Sequence, residues 1–403
     1  MQLIFLGIVV FLCMLAVFDL MVGVSNDAVN FINSAIGSKA ASFKAIVAVA
    51  AVGVFAGAAM SNGMMDVARH GIFTPQYFSF FEVMCIFLAV MVTDVVLLDI
   101  FNSLGMPTST TVSMVFELLG GAFALSVIKI LSGQTAADGS LLNFGMLLNT
   151  DKALSVILAI FMSVAVAFVF GSIVMWLSRI VFSFAKPKNN SLKTIIFGAL
   201  SATAIVWFLL INGLKGSSFM TPDVKEFISM NTWAIIGICF ALMTMVNGIL
   251  AVARVNILKV VVMMGTFALA MAFAGNDLVN FVGVPLTGLD AYNDYVANGT
   301  GDASAYMMKS LMDTAHTPTI YLVLAGLVMV LSLVFSKKAQ NVVKTSVDLS
   351  RQDEGDEMFG SSAAARVLVR NAQKAANFIS DLTPKPMARW IDSRFNADGA
   401  ILA

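Results

Sequence analysis

The chain has 403 residues, of which 59% are hydrophobic and only 12% charged, and its mean hydropathy is +0.89. A soluble protein has about 45–50% apolar and about 25% charged residues, so the surplus of apolar side chains must face lipid. The 24 acidic and 24 basic residues balance, which excludes the strongly basic character of a nucleic-acid-binding protein.

Apolar stretches long enough to cross a membrane recur along the chain, since a spanning helix needs about 20 apolar residues. They cover residues 3–23, 44–63, 79–101, 108–131, 153–183, 193–212, 231–252, 256–275 and 318–336. The sequence therefore predicts an all-α integral membrane protein with about nine transmembrane helices.

Lysine and arginine in the short loops predict the orientation, because these residues are enriched on the cytoplasmic side. With the N-terminus outside, the inner loops carry Lys39, Lys44, Lys186, Lys188, Lys193, Arg254, Lys259, Lys337, Lys338 and Lys344. The outer loop at 285–317 is instead rich in aspartate. We expect a multi-pass protein of the plasma (inner) membrane with its N-terminus outside.

Four regions follow from this pattern. We assign 1–183 to a first transmembrane repeat, 184–253 to connecting transmembrane helices, 254–336 to the start of a second repeat, and 337–403 to a cytoplasmic segment. The last region is dense in charge, and helical apolar spacing over 363–379 predicts a helix within it.

A six-residue motif occurs twice. Residues 26–31 read Asn-Asp-Ala-Val-Asn-Phe and residues 276–281 read Asn-Asp-Leu-Val-Asn-Phe. The predicted topology sends the two copies through the membrane in opposite directions, which is typical of inverted-repeat transporters with a substrate site near the midplane. The alternative is that these residues merely cap two helix ends.

Asparagine and aspartate are costly inside hydrocarbon, and their side chains compete for backbone hydrogen bonds. We therefore expect each motif to interrupt its helix. Free backbone N–H groups at helix N-termini favour anions, whereas carboxylate and amide oxygens suit a hard cation such as Na⁺. One such site can hold an anion and its coupling cation together.

A second polar cluster opens the fourth apolar stretch. Pro107 suits the first turn of a helix, and Ser109, Thr110 and Thr111 follow it. Their hydroxyl groups and the free backbone N–H groups form a neutral cradle for an oxyanion. An ordinary serine or threonine N-cap is the competing interpretation.

These motifs resemble those of the inorganic phosphate transporter (PiT) family of sodium- or proton-coupled carriers. That family has two Gly-Ala-Asn-Asp-Val-Ala-Asn-Ala signatures in inverted repeats, each followed by Pro-x-Ser-Thr-Thr-His. The resemblance implies that phosphate binds the residues Asn26, Asn30, Ser109, Thr110, Thr111, Asn276 and Asn280. It further implies that Asp27 and Asp277 help to hold sodium.

The chain departs from the family pattern in several places. Val24-Ser25 and Ala274-Gly275 stand where the signatures have Gly-Ala, and Val112 stands where the hydroxyl motif has histidine. A second Pro-x-Ser-Thr-Thr does not follow Asn280. We therefore expect the second repeat to be incomplete here and this chain to be the front part of a longer protein.

Two further carboxylates, Asp94 and Glu117, lie deep in predicted spans. Intramembrane acidic residues are functional candidates by default, so both are candidates for ion coupling or proton exchange. Asp19 precedes Asn26 by seven residues and lies near the same helix face.

The sequence thus predicts a secondary active transporter that imports inorganic phosphate with Na⁺ or H⁺. A sulfate permease on the same scaffold, an ion channel and a membrane sensor are the alternatives. An enzyme is not expected, since there is neither a metal-ligand cluster nor a Walker-type loop. We expect no cofactor beyond the coupling ion, contacts with lipid but not nucleic acid, and a homodimer as the candidate assembly.

Overall fold

The computed structural model describes residues 2–61, 67–136, 139–184, 191–213, 220–299, 301–313, 317–349, 360 and 362–395. The helices are α1 (Gln2–Gly37), α2 (Phe43–Met60), α3 (Phe80–Leu104), α4 (Thr110–Leu131), α5 (Phe144–Leu147), α6 (Thr150–Phe182), α7 (Leu192–Phe208), α8 (Pro222–Met230), α9 (Thr232–Val252), α10 (Ile257–Asn298), α11 (Thr319–Phe335), α12 (Lys337–Leu349), α13 (Ala363–Leu382) and α14 (Lys385–Phe395). Single turns of other helix types lie at Val67–Gly71, Pro75–Tyr77, Leu209–Gly213 and Lys309–Met312.

Within the described ranges, eight helices are long and apolar enough to cross a membrane, or nine if the bent pair α11 and α12 forms one span. Each predicted apolar stretch lies on one of these helices. Their exposed faces carry large apolar side chains, most densely on α6. The prediction of an all-α membrane protein is therefore confirmed.

The predicted helix breaks at the two motifs are wrong. α1 continues through its motif to Gly37, and α10 continues through the second motif to Asn298. The buried side chains of Asn26, Asp27 and Asn280 bond to groups outside their own helix, so they do not compete for its backbone hydrogen bonds. Continuous helix also satisfies the backbone groups at membrane depth, except at Pro285 inside α10, which has no N–H to donate.

The two motif helices pack against each other in antiparallel orientation. Phe5, near the start of α1, contacts the ring of Tyr295 near the end of α10, at a centroid distance of 6.0 Å. Further along α1, Phe31 contacts Phe273 at 6.2 Å. Their opposite directions agree with the inverted repeat that the sequence predicts.

The contacts around the motifs have approximate two-fold symmetry. Asn276 stands 250 positions after Asn26, so Gly23 corresponds to Phe273 and Phe31 corresponds to Phe281. Gly23 packs against the ring of Phe281, so closely that a Cβ atom would overlap it. This contact is the counterpart of the one between Phe31 and Phe273, and the axis passes near the centre of the two motifs.

The next helix of each repeat also packs across the opposite motif helix. Gly57 of α2 contacts the backbone of Met271, where a Cβ atom would overlap the carbonyl group. Just beyond α2, Ser61 Oγ donates to the carbonyl of Gly275 at 2.9 Å. On α11, Ser332 Oγ donates to the carbonyl of Met21 at 2.9 Å; Met21 is the counterpart of Met271, so this bond matches the contact of Gly57 with Met271.

The predicted cytoplasmic segment is not uniform. α12 turns by 67° from α11 and packs on the helical body, burying Val342 and Val343. Thr345 contacts Gly105 after α3, and Asn33 of α1 donates to Ser346 Oγ at 3.3 Å. Residues 337–349 therefore belong to the helical body, whereas the side chains described in α13 are exposed. Residues 350–359, 361 and 396–403 lie outside the described residues.

Candidate functional site

The carboxyl groups of Asp27 and Asp277 meet where the motif helices cross. Both side chains are buried, and they are close enough to share a hydrogen bond when one of them carries a proton. Thr110 Oγ1, in the first turn of α4, donates to Asp27 Oδ2 at 3.3 Å. The two aspartates are equivalent positions of the repeat, so the approximate axis passes between them.

Asn280 connects the second motif to the start of α4. Its amide nitrogen donates to Thr111 Oγ1 at 2.9 Å, and it lies 3.4 Å from Thr110 Oγ1 and from Asp277 Oδ1. Its side chain is buried. Residues from both motifs and from the hydroxyl cluster are thus brought together, as the sequence predicts.

Asn26 fixes the turn that leads into α4. Its amide nitrogen donates to Asn102 Oδ1 at 2.7 Å and to the carbonyl of Met106 at 3.1 Å. Its oxygen accepts from the backbone N–H of Thr108 at 2.8 Å. Asn26 is fully buried, so these bonds hold the turn from inside the protein.

Asn102 was not among the sequence-predicted residues. It is fully buried and also donates to the carbonyl of Val22 at 2.7 Å, which ties α3 to α1. Its signal in the sequence is an amide near the end of an apolar span, directly before the hydroxyl cluster. That position made it indistinguishable from a helix-capping residue.

The turn itself depends on Gly105 and Ser109. Gly105 ends α3 with a φ of 68°, the left-handed conformation that glycine adopts without strain. Ser109 caps α4 by accepting from the backbone N–H of Val112 at 3.3 Å, and its side chain is exposed. Ser109 is therefore the N-cap of α4, and the cap lies beside the buried cluster.

Asn30 and Asn276 are not part of this cluster. Both side chains are exposed, and the bond from Asn276 to Asp277 Oδ1 is long, at 3.4 Å. The two-fold relation makes them the counterparts of Asn280 and Asn26. The hydroxyl turn at 105–111 contacts one asparagine of each motif and leaves the other of each motif uncovered.

Asp94 and Glu117 form a separate cluster with Ser113. Ser113 Oγ lies 2.5 Å from Asp94 Oδ1 and 2.8 Å from Glu117 Oε1. Ser113 follows Thr110 by three positions, so it lies on the same face of α4, one turn further from the helix N-terminus. Asp94 is buried and Glu117 is half-buried.

Two ion pairs lie away from these clusters. Arg69, in the single turn Val67–Gly71, is 7% exposed and donates to Asp290 Oδ2 at 2.7 Å. Lys129 binds Glu82 at 2.8 Å, close to a cavity of about 820 Å³ that both residues line. None of the predicted site residues lines that cavity.

Comparison with known proteins identifies the family. A model of the phosphate transporter family matches residues 23–346, which include both motifs and the hydroxyl turn. The chain belongs to the phosphate transporter family. Membership of this family places it among multi-pass membrane transporters, in agreement with the apolar helices.

A solved structure supports the fold of this family member. It is described as "The sodium-dependent phosphate transporter" and superposes with a TM-score of 0.60, covering 85% of this chain and 78% of its own chain. The sequence identity is 18%, so this likeness concerns the fold. No curated protein sequence matches the chain.

Proposed function

We propose that this family member is a secondary active transporter that imports inorganic phosphate together with Na⁺. The observation that supports this most strongly is the meeting of Asp27, Asp277 and Asn280 at the N-terminus of α4. Donor groups for an anion and oxygen ligands for a cation lie side by side there.

The anion is assigned to the start of α4. Its first backbone N–H groups lack partners within the helix, and the helix dipole adds partial positive charge at the same end. Thr110, Thr111 and the amide of Asn280 add side-chain donors. An oxyanion bound there replaces the hydrogen bonds that these groups now make with one another.

The cation is assigned to the aspartate pair. Asp27 and Asp277 are buried close together, and the bonds described for them come from neutral hydroxyl and amide groups. Two adjacent buried carboxylates need a positive charge or a proton to offset their repulsion. Na⁺ between them adds positive charge beside the anion, so each ion favours binding of the other.

Phosphate is favoured over sulfate by its chemistry. Phosphate carries a proton near neutral pH and can donate a hydrogen bond, which sulfate cannot. Asp27 and Asp277 are the acceptors nearest to the proposed anion position. A site with such an acceptor rejects the ligand that lacks the donor.

Uptake into lipid vesicles tests the proposal. The purified protein should accumulate labelled phosphate when a Na⁺ gradient is imposed, and a K⁺ gradient should not replace it. Asp27→Asn and Asp277→Asn should each abolish Na⁺-driven uptake, while Asp99→Asn, outside the site, should retain it. Uptake that is driven equally by K⁺, or that sulfate suppresses as well as unlabelled phosphate does, would reject the proposal.

A further inference from the structure

The cluster of Asp19, Asp94, Glu117 and Ser113 lies beside the proposed substrate site and is not used by it. Asp19 comes from α1, Asp94 from α3, and Glu117 and Ser113 from α4. Asp19 is fully buried, and no hydroxyl, amide or cationic donor of the described residues reaches either of its oxygens. Its neighbour is the carboxyl group of Asp94.

If all the carboxyl groups of the cluster were ionised, there would be one hydrogen too few for the two contacts of Ser113. A hydroxyl group has one hydrogen to donate, yet Ser113 Oγ is within hydrogen-bonding distance of both Asp94 and Glu117. It can donate to only one of them. The other contact is a hydrogen bond only if that carboxyl group carries a proton and donates to the serine oxygen.

Among the described residues, no basic group acts on the three carboxyl groups of the cluster and could replace the proton. The charged groups that act on it from the packed helices are acidic: Asp27 on α1 and, beyond it, Asp277 on α10. Two lysines of the helices around it are paired elsewhere, Lys129 with Glu82 and Lys338 with Asp99. Three ionised carboxylates would therefore repel one another at low dielectric, and carboxyl groups so close together share a proton instead.

A bound metal ion fits this geometry less well. Oxygens that bind an ion of the size of Ca²⁺ lie about 2.3–2.6 Å from it. Neighbouring oxygens are then farther from each other than a hydrogen-bond distance. The oxygens here contact one another directly at 2.5 and 2.8 Å. Within the described part of the chain, no group of three or more histidine, cysteine, aspartate or glutamate residues is arranged to hold a metal ion.

We propose that Asp19, Asp94, Glu117 and Ser113 form a proton-binding site, distinct from the aspartate pair, that loads and releases a proton during transport. The link to transport is α4, since Thr110 bonds to Asp27 and Ser113 bonds to the cluster one turn later. Any shift of the first turns of α4 on substrate binding changes both sets of contacts. The coupling step rests on the proposed function, whereas proton binding itself does not.

Infrared spectroscopy of the purified protein tests proton binding without transport. Wild type at neutral pH should show the absorption of a protonated carboxyl group, shifted in D₂O. Glu117→Gln and Asp94→Asn should each remove or shift that absorption, and the matched control Asp99→Asn should leave it unchanged. A spectrum in which neither variant differs from Asp99→Asn, or a band that disappears when Na⁺ is added, would overturn the proposal.

The pH profile of phosphate uptake tests the coupling. The ionisation of phosphate itself varies with pH, but it does so equally for every variant. A difference between variants therefore reports the contribution of the protein to the pH dependence of uptake. Glu117→Gln should bind phosphate and lose the part of the pH dependence that Asp99→Asn retains. If wild type transports phosphate and both variants have the same profile, coupling through this cluster is rejected. If wild type does not transport phosphate, the proposed function fails instead.

Discussion

The amide of Asn26 makes three hydrogen bonds, and all of them reach the end of α3 or the turn after it. Such a bond contributes about 0.5–1.5 kcal/mol, but a buried group left without a partner costs about 1–3 kcal/mol. A single side chain on α1 therefore helps to hold the turn that leads into α4. The position of Thr110 and Thr111 depends on that turn.

Replacing Asn26 by alanine should loosen this turn. Asn26→Ala removes the partner of the Thr108 N–H and of Asn102 Oδ1, so we expect a lower melting temperature and at least a roughly tenfold loss of kcat/KM for phosphate, equal to about 1.4 kcal/mol. Asn33→Ala, on the same helix and bonded to Ser346, is the matched control. Equal kinetics for the two variants would show that the turn is held by other contacts.

The sequence predicted most of the buried cluster at the level of residues. Asp27, Asp277, Asn280 and Thr110 come together because the motif pair is both repeated and inverted. The sequence could not show that Asn30 is exposed while its counterpart Asn280 is buried, because both copies of the motif are nearly identical. That difference arises from packing, since the hydroxyl turn covers only one asparagine of each copy.

At the scale of helices, local hydropathy located the spans and underestimated the length of α1 and α10. An apolar stretch ends at the first run of polar residues, so α1 and α10 were predicted to stop at their motifs. Both continue because polar side chains inside a membrane helix are tolerated when other helices supply partners. The same reasoning missed α12, whose mixed composition is typical of a surface helix although its apolar face is buried.

The docking of α12 is testable with a matched pair of substitutions. Val342 is fully buried in this helix, whereas Gln340 is exposed. Val342→Asp places a charge without a partner against the body of the protein, which costs several kcal/mol. We expect a clearly lower melting temperature than for Gln340→Asp, measured in the same detergent. Equal melting temperatures would mean that α12 is an undocked part of the cytoplasmic segment.

At the scale of the whole molecule, the antiparallel packing of α1 and α10 follows from the repeat and from the loop charges together. The charges predict opposite directions for the two helices, and the contacts of Phe5 with Tyr295 and of Phe31 with Phe273 agree. The assignment of one end of these helices to the cytoplasm rests on the loop charges alone.

Labelling of single cysteines tests that orientation. In a protein whose three native cysteines are replaced by alanine, Ser304→Cys should react with a membrane-impermeant maleimide added to intact cells. Ser38→Cys, between α1 and α2, should react only after the cells are opened. Both positions are exposed, so access to the reagent depends on the side of the membrane. The reverse pattern would place the N-terminus inside.

The most direct test of the account is equilibrium binding of labelled phosphate to the purified protein. Asn280 is the one asparagine of the second motif that contacts the hydroxyl groups of α4. Asn280→Ala should weaken phosphate binding by at least roughly tenfold, or about 1.4 kcal/mol, while Asn33→Ala binds as wild type does. Unchanged phosphate affinity in Asn280→Ala would contradict the claim that the two motifs and the start of α4 form one anion site.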